Sequence, residues 1–315
     1  MLSSQSRMSN FTDHAFNLSA VKHQLVQQLR SWGPNSAAIV EFLANFSPNP
    51  ETECHVFTDQ SQIETSSIIL CFGLVRGSSC GDAHLLVKPD TNNEYLTKSL
   101  SHFFTQIAPR HLMVPYFMVG QSAYLETVLS LNFDPKYGAI HSLGKEAETR
   151  LFHLTRETIE SLKLETEAPA PSGYYFDRLT LLDLDTVIQA YPQPQVYGEG
   201  ELYRQWFIAL IEKMPNLCLR QQGDHKLVAF ELLMSLGMLH HLYVVPEHRQ
   251  KGLGHALEHR FVVSLLKHQP HPIVPHKHVV AINELGNQFT NSQRQTQIWT
   301  PPNDKRQFVR YHPAE

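Results

Sequence analysis

The residues with the clearest chemical potential sit where an apolar run, Met238 to Val245, meets Pro246-Glu-His-Arg-Gln-Lys-Gly-Leu-Gly-His255, which opens a helical pattern reaching about Lys267. A helix start carries unpaired amides and a partial positive charge, so a loop whose backbone can approach a ligand there becomes an anion site. Gly252 and Gly254 permit that approach, and Arg249 and Lys251 add charge suited to a diphosphate or an outlying phosphate. Val244 and Val245 lead into the loop, and Gln250, Leu253 and His255 complete it. The spacing is not a dinucleotide GxGxxG, and Lys251 precedes Gly252, the reverse of a P-loop.

Two further positions could move a proton. In the strand pattern Leu227 to Met234 both faces are apolar and Glu231 is the only charge. Desolvation raises the pKa of such a carboxylate and makes it a proton acceptor nearer neutrality, although a structural pairing with a nearby His or Lys is the other reading. His240 and His241 are adjacent on the next strand, so simple alternation sends them to opposite faces, and His240 is the candidate to line a pocket. His268, His271, His276 and His278 have the composition of a zinc set, but two prolines interrupt them and no cysteine or carboxylate cluster completes them, so no metal is expected. No GxSxG occurs, which argues against a serine hydrolase.

The elements that must position these residues follow from periodicity and breakers. Helices are expected near 19–32 and 37–46, strands near Cys54 to Thr58, Ser67 to Val75 and His84 to Val87, and a helix over Asn92 to Ile107. Acidic composition from about Leu151, ending in Ala168-Pro-Ala-Pro-Ser172, reads as a connector, which divides the chain into domains at 1–165 and 172–315. The second half begins with a strand at Tyr174 to Leu179 and a helix at Asp183 to Ala190 closed by Pro192. A loop with Gly198 and Gly200 leads into a helix at Glu201 to Glu212, then strands at Leu217 to Gln221, Leu227 to Met234 and Met238 to Val245. After the loop helix come a strand at Lys277 to Ile282, a helix at Glu284 to Arg294, and a final strand pair at Gln297 to Trp299 and Gln307 to Tyr311. The class is α+β with a mixed, mostly antiparallel sheet flanked by helices.

Arg249-x-x-Gly252-x-Gly254 between an apolar strand and an amphipathic helix resembles the coenzyme A pyrophosphate motif of the GNAT acyltransferase superfamily. Tyr243-Val-Val-Pro-Glu-His-Arg-Gln-Lys-Gly252 is similar, more particularly, to the glycine N-acyltransferase family. Met214-Pro-Asn-Leu-Cys218-Leu-Arg, Leu227-Val-Ala-Phe-Glu231 and Asn283-Glu284 fall in that family's order, so the resemblance covers Tyr174 to about Trp299. It implies a GNAT fold, acyl-coenzyme A as co-substrate, and transfer of the acyl group to glycine or another small amino acid. The coenzyme is then expected against Val244, Val245 and the Arg249 to His255 loop, with Asn283 near the pantetheine arm and Glu231 or His240 as proton acceptor. Met238 stands where the family has its proposed basic glutamate, and Thr290 where many superfamily members carry an acidic tyrosine. The first half reads as a decayed copy of the same fold, because His84 to Val87 runs through a loop without glycine or arginine into a helix, and no coenzyme is expected there.

Composition excludes several classes. The 315 residues carry 26 basic and 30 acidic side chains, a net charge of -4, with no Lys/Arg run to neutralise a phosphate polymer, so nucleic acid is not an expected partner. The most apolar stretch, Ile68 to Val75, is far short of the roughly 20 residues a membrane helix needs. Cys54, Cys71, Cys80 and Cys218 show no CxxC spacing, which suits a reduced intracellular compartment, and Arg7, Lys22 and Arg30 against Asp13 near the start resemble a mitochondrial transit peptide, so a mitochondrial or cytoplasmic location and a monomer are expected. Two other functions fit the same sequence: a protein lysine or N-terminal acetyltransferase, and an acyl-coenzyme A sensor without turnover.

Overall fold

The computed structural model describes residues 11–14, 18–33, 36–45, 51–131, 134–143, 148–190, 200–268, 272–281, 283–300 and 305–314. Pro192, Gly198, His271 and Ile282 lie outside them. In chain order the strands are β1 (Thr12–Asp13), β2 (Thr52–Thr58), β3 (Ile68–Val75), β4 (Gly81–Val87), β5 (Tyr116–Gln121), β6 (Ala139–Ser142) and β7 (Glu148–His153). They continue with β8 (Tyr174–Asp177), β9 (Asn216–Gln221), β10 (Leu227–Leu233), β11 (Met238–Val244), β12 (His276–Val280) and β13 (Arg306–His312).

All belong to one sheet in the order β1-β2-β3-β4-β5-β13-β7-β12-β11-β10-β9-β8, with β6 paired to β13. Only β4 with β5 and β11 with β12 are parallel among the described pairs. Each parallel pair needs a crossover, which helices supply: Asn93–His102 and its continuation to His111 in the first half, Leu253–Leu266 in the second. The antiparallel trio β2-β3-β4 and then helix and β5 is thus repeated as β9-β10-β11, helix and β12. This is the expected α+β class, in two like halves.

The halves exchange strands. β7, early in the chain, lies along β12 from His276↔His153 to Val280↔Thr149, and β13, from the end, lies along β5 from Arg306↔Gln121 to Tyr311↔Tyr116. The stretch expected to be a connector from Leu151 is therefore ordered: it contains the end of β7 and the helix Arg156–Leu164, whose Ile159 and Leu162 are buried. Its acidic Glu157 and Glu160 occupy the exposed face of that helix, and residues 165–172 beyond it carry neither helix nor strand. Gln297–Trp299 is not a strand; Trp299 is buried, and only Thr300 bridges to His153.

The turn between β10 and β11 pins the second half against the first. Gly73 lies so close to it that a Cβ there would come 2.6 Å from Ser235 Oγ and 2.7 Å from Leu236 Cγ. Asp82 on β4 accepts hydrogen bonds from Ser235 Oγ and, at 3.1 Å, from the Leu236 amide. Trp206, Phe207, Phe230 and Phe261 fill the core of the second half, and Phe117 of β5 reaches Trp206 with ring centres 6.2 Å apart. Among the described residues no helix is long and apolar enough to cross a membrane.

Candidate functional site

A gap opens in the sheet beside the glycine loop. β11 is paired to β12 only at Met238↔His276 and Leu239↔Lys277, while β11 follows β10 as far as Val244 and β12 follows β7 as far as Val280. From His240 onward the outer edge of β11 has no strand partner among the described residues. The Val245 amide donates to Val228 O on β10, so by strand alternation the Val244 peptide points the other way, into the gap. Its carbonyl accepts from Arg249 Nε at 2.9 Å, and the guanidinium lies 5.7 Å from the Tyr243 ring centre.

The loop then delivers a bare helix start. Gly252 is the N-cap of Leu253–Leu266, in the left-handed region at φ 75° and ψ 4°, and no side chain caps the first turn. The amides at Leu253, Gly254 and His255 have no intrahelical acceptor, as at any helix start. A Cβ on Gly252 would meet nothing closer than Arg294 Nη1 at 3.9 Å, so the space in front of it is open and a second arginine overlooks it. Gly254 packs inward, where a Cβ would touch Val244 Cγ2 at 3.4 Å and Phe289 Cε2 at 3.5 Å. His255 Nδ1 pairs with Gln295 Nε2 at 3.1 Å. A groove of about 350 Å³ continues from here along the helix, lined by His255, His259, Arg294, Glu157 and Glu165. Gln250 and Lys251 lie exposed on the loop; Asn283 is exposed too and spends its side-chain oxygen capping Glu284–Thr290 through the Gly286 amide at 2.9 Å.

The histidine pair departs from simple alternation. The β10–β11 register shifts between Phe230↔Tyr243 and Leu232↔His240, leaving two residues of β11, His241 and Leu242, opposite Glu231 alone. His241 takes φ 60°, and this bulge swings both rings to one side, with His240 and His241 centres 3.6 Å apart and Trp206 about as close to each, at 5.8 and 5.9 Å. Both histidines, not one, therefore share an environment. Burial pulls His240 down to about 3, and burial, then His240, pulls His241 well below the ordinary imidazole value, so both rings are neutral near neutrality.

Opposite the bulge, Glu231 is 1% exposed, and its Oε2 has no hydrogen-bond partner among the described residues. Burial, then the Glu258 charge, raises its pKa well above the usual carboxylate range, while Lys277 opposes the rise. Lys277, 5% exposed, donates to Glu258 Oε1 at 2.7 Å, and Trp299 Nε1 donates to the same oxygen at 2.7 Å. One ammonium thus faces two carboxyls, and Glu258 has the direct contact. Sequence reading missed Glu258, Lys277 and Arg294, and Met238 and Thr290 are each 2% exposed.

A second histidine group was also missed. His84 of β4 meets His276 and His278 of β12, each offering a ring nitrogen within 4.8 Å of the others. The prolines do not separate His276 from His278, which stand two apart on one strand face. His268 is exposed on the far side of the prolines.

A mixed sheet in two like halves, each with a helix crossover between parallel strands, and a splayed strand pair above a glycine-led helix start define the GNAT fold. No family model matches the sequence, and no curated protein matches it. Among solved structures, a Drosophila protein is similar at 16% identity over 92% of this chain and 89% of its own, with a TM-score of 0.57. A tandem GNAT protein from the clavulanic acid biosynthesis pathway is 15% identical over 97% of this chain and 98% of its own (TM-score 0.44). A GCN5-related N-acetyltransferase from Sphaerobacter thermophilus is 13% identical over 97% and 96% (TM-score 0.48). At 16% identity the likeness to the Drosophila protein is one of fold alone.

Proposed function

We propose that the protein transfers an acyl group from acyl-coenzyme A to the amino group of glycine or another small amino acid. The observation that carries this reading is the uncapped, left-handed glycine start of the Leu253–Leu266 helix at the mouth of the β11–β12 gap, with Arg249 and Arg294 beside it. In this reading the diphosphate lies on the Leu253 to His255 amides, and the pantetheine arm runs along the free edge of β11, where the Val244 peptide is turned toward it. The corresponding helix start in the first half is closed: Asn92 Oδ1 accepts from the Glu94 and Tyr95 amides at 2.9 and 3.1 Å, and Glu94 adds negative charge. We assign no coenzyme there.

The thioester then comes to the bulge. The amine nitrogen attacks the thioester carbonyl, the carbon–sulfur bond breaks, and the thiolate leaves unaided, because a thiol pKa near 8.5 makes it a competent leaving group. The amine proton passes to His240. That ring is neutral and so able to accept, but burial makes it a weak base on its own. The acceptor's own carboxylate, brought within about 4–6 Å, raises the imidazole's proton affinity, which ties turnover to amino acids rather than simple amines. Glu231, behind the bulge and held near Glu258 and Lys277, is the other proton acceptor consistent with the site.

Free-thiol release from acyl-coenzyme A donors with glycine, glutamine or a lysine peptide tests the reading. Release that requires a free amino acid, and that falls by about 10²-fold or more in His240→Ala, is expected. Binding of desulfo-coenzyme A with no thiol release for any amine would leave a sensor, and release with the lysine peptide alone would leave a protein acetyltransferase.

A further inference from the structure

Three imidazoles supplied by both halves converge in the interior, with His240 near enough to act on His278. His84 (β4), His276 and His278 (β12) have ring centres 5.1, 5.7 and 6.0 Å apart. Three imidazoles each bound through one nitrogen to a tetrahedral ion, at metal–nitrogen distances of about 2.0–2.1 Å, place their ring centres ~5 Å apart. The observed triangle, with sides of 5.1, 5.7 and 6.0 Å, is somewhat wider than that.

The cluster is also unsatisfied as it stands. His84 is 1% and His276 0% exposed, and His84 Nδ1 with both ring nitrogens of His276 and of His278 have no hydrogen-bond partner among the described residues. A buried polar nitrogen without a partner costs free energy, and five in one place call for a common occupant. The packing is specific: β12 sends His276 and His278 to the face opposite Lys277, and β4 brings His84 across from the other half.

We infer that His84, His276 and His278 bind a divalent transition-metal ion of the zinc class, with the fourth position open to water. All-nitrogen ligands suit zinc and its neighbours and disfavour magnesium and calcium, which take oxygen. Three neutral ligands leave the ion's charge uncompensated, and the Arg306 guanidinium acts on the same rings. Ionisation of metal-bound water, which occurs near neutrality on zinc, halves that charge. A second group, Asp13, His55 and His111, in which the His55 and His111 nitrogens lie 3.5 and 3.3 Å from Asp13, serves as the control.

Chelator-treated full-length protein is titrated with Co²⁺ and then Zn²⁺. One equivalent of Co²⁺ with visible bands of tetrahedral intensity, displaced by Zn²⁺, is expected, along with a higher melting temperature. Zn²⁺ affinity falls 100-fold or more in His84→Gln and His276→Gln and is unchanged in Asp13→Ala. X-ray absorption on the wild-type zinc form counts the imidazoles without relying on any variant. No stoichiometric uptake, fewer than three imidazoles, or uptake that survives both glutamine variants and is lost in Asp13→Ala overturns the site.

Discussion

Gly252 offers a perturbation in which folding and ligand binding respond by different amounts. At φ 75° an L-residue pays about 1–2 kcal/mol of backbone strain. A Cβ there meets nothing nearer than Arg294 Nη1 at 3.9 Å, so the added Cβ itself meets no clash in the free protein. The same side chain projects into the space in front of the helix, where a diphosphate would lie. Two charge-assisted bonds to backbone amides are worth about 1.5–3 kcal/mol each. Their loss is therefore ~3–6 kcal/mol, a factor of about 10²–10⁴ in Kd at 1.4 kcal/mol per decade. Calorimetric titration with desulfo-coenzyme A, beside urea denaturation of the same samples, separates the two effects. Gly252→Val should lose only the strain energy in folding yet bind at least about 100-fold more weakly, with Gly252→Ala intermediate. Binding of the valine variant within about threefold of wild type would refute the anion site.

Two other perturbations probe the buried charges. Burial raises Asp82 to about 7 despite its bonds to Ser235 and the Leu236 amide, so between the unfolded value of 3.8 and about 7 the folded state holds a proton that the unfolded state has released. Stability contributed by this group is thus full below 3.8 and falls as pH rises, by about 1.4 kcal/mol per pH unit. Asp82→Asn should accordingly gain ~3 kcal/mol on wild type between about pH 5 and 7.5 in urea denaturation; equal differences at both pH values would contradict the burial argument. Lys277→Met leaves Glu231 and Glu258 facing each other without a cation and should cost ~3–5 kcal/mol, much of it restored by adding Glu258→Gln. A loss under about 1 kcal/mol would show that the ammonium is not compensating either carboxyl.

The glycine loop was legible because its chemistry is local: strand, Gly252, Gly254 and helix adjoin in sequence, and the structure keeps them adjoining. The bulge was not. A single extra residue in β11 leaves the apolar pattern of Met238 to Val245 intact, yet it carries the second histidine ring to the first one's side. His84 and His276 are separated by most of the chain, so no spacing rule links them, although the alternation that put His276 and His278 on one face was readable. The acidic run after Leu151 misled because an amphipathic surface helix and a polar connector share a composition; Ile159 and Leu162, at helical spacing, are what tell them apart.

Strand exchange explains why the gap stays open. β12 is only five residues long and shares two register positions with β11, too little to fix its direction. Its other edge pairs with β7 at all five positions, His276 through Val280, so a strand from the first half sets where β12 runs after it leaves β11. β11, meanwhile, is held by β10 up to Val244. With each strand tied to a different neighbour, closing the gap would mean breaking one of those ladders. Lys277, on the opposite face of β12 from the histidines, adds a buried bond to Glu258 of the loop's own helix, which couples the position of the helix start to the same strand. The first half thus contributes to the site in two ways: Glu157 and Glu165 line the groove beside His255, and β7 fixes β12, and through β12 both the width of the gap and the helix that faces it.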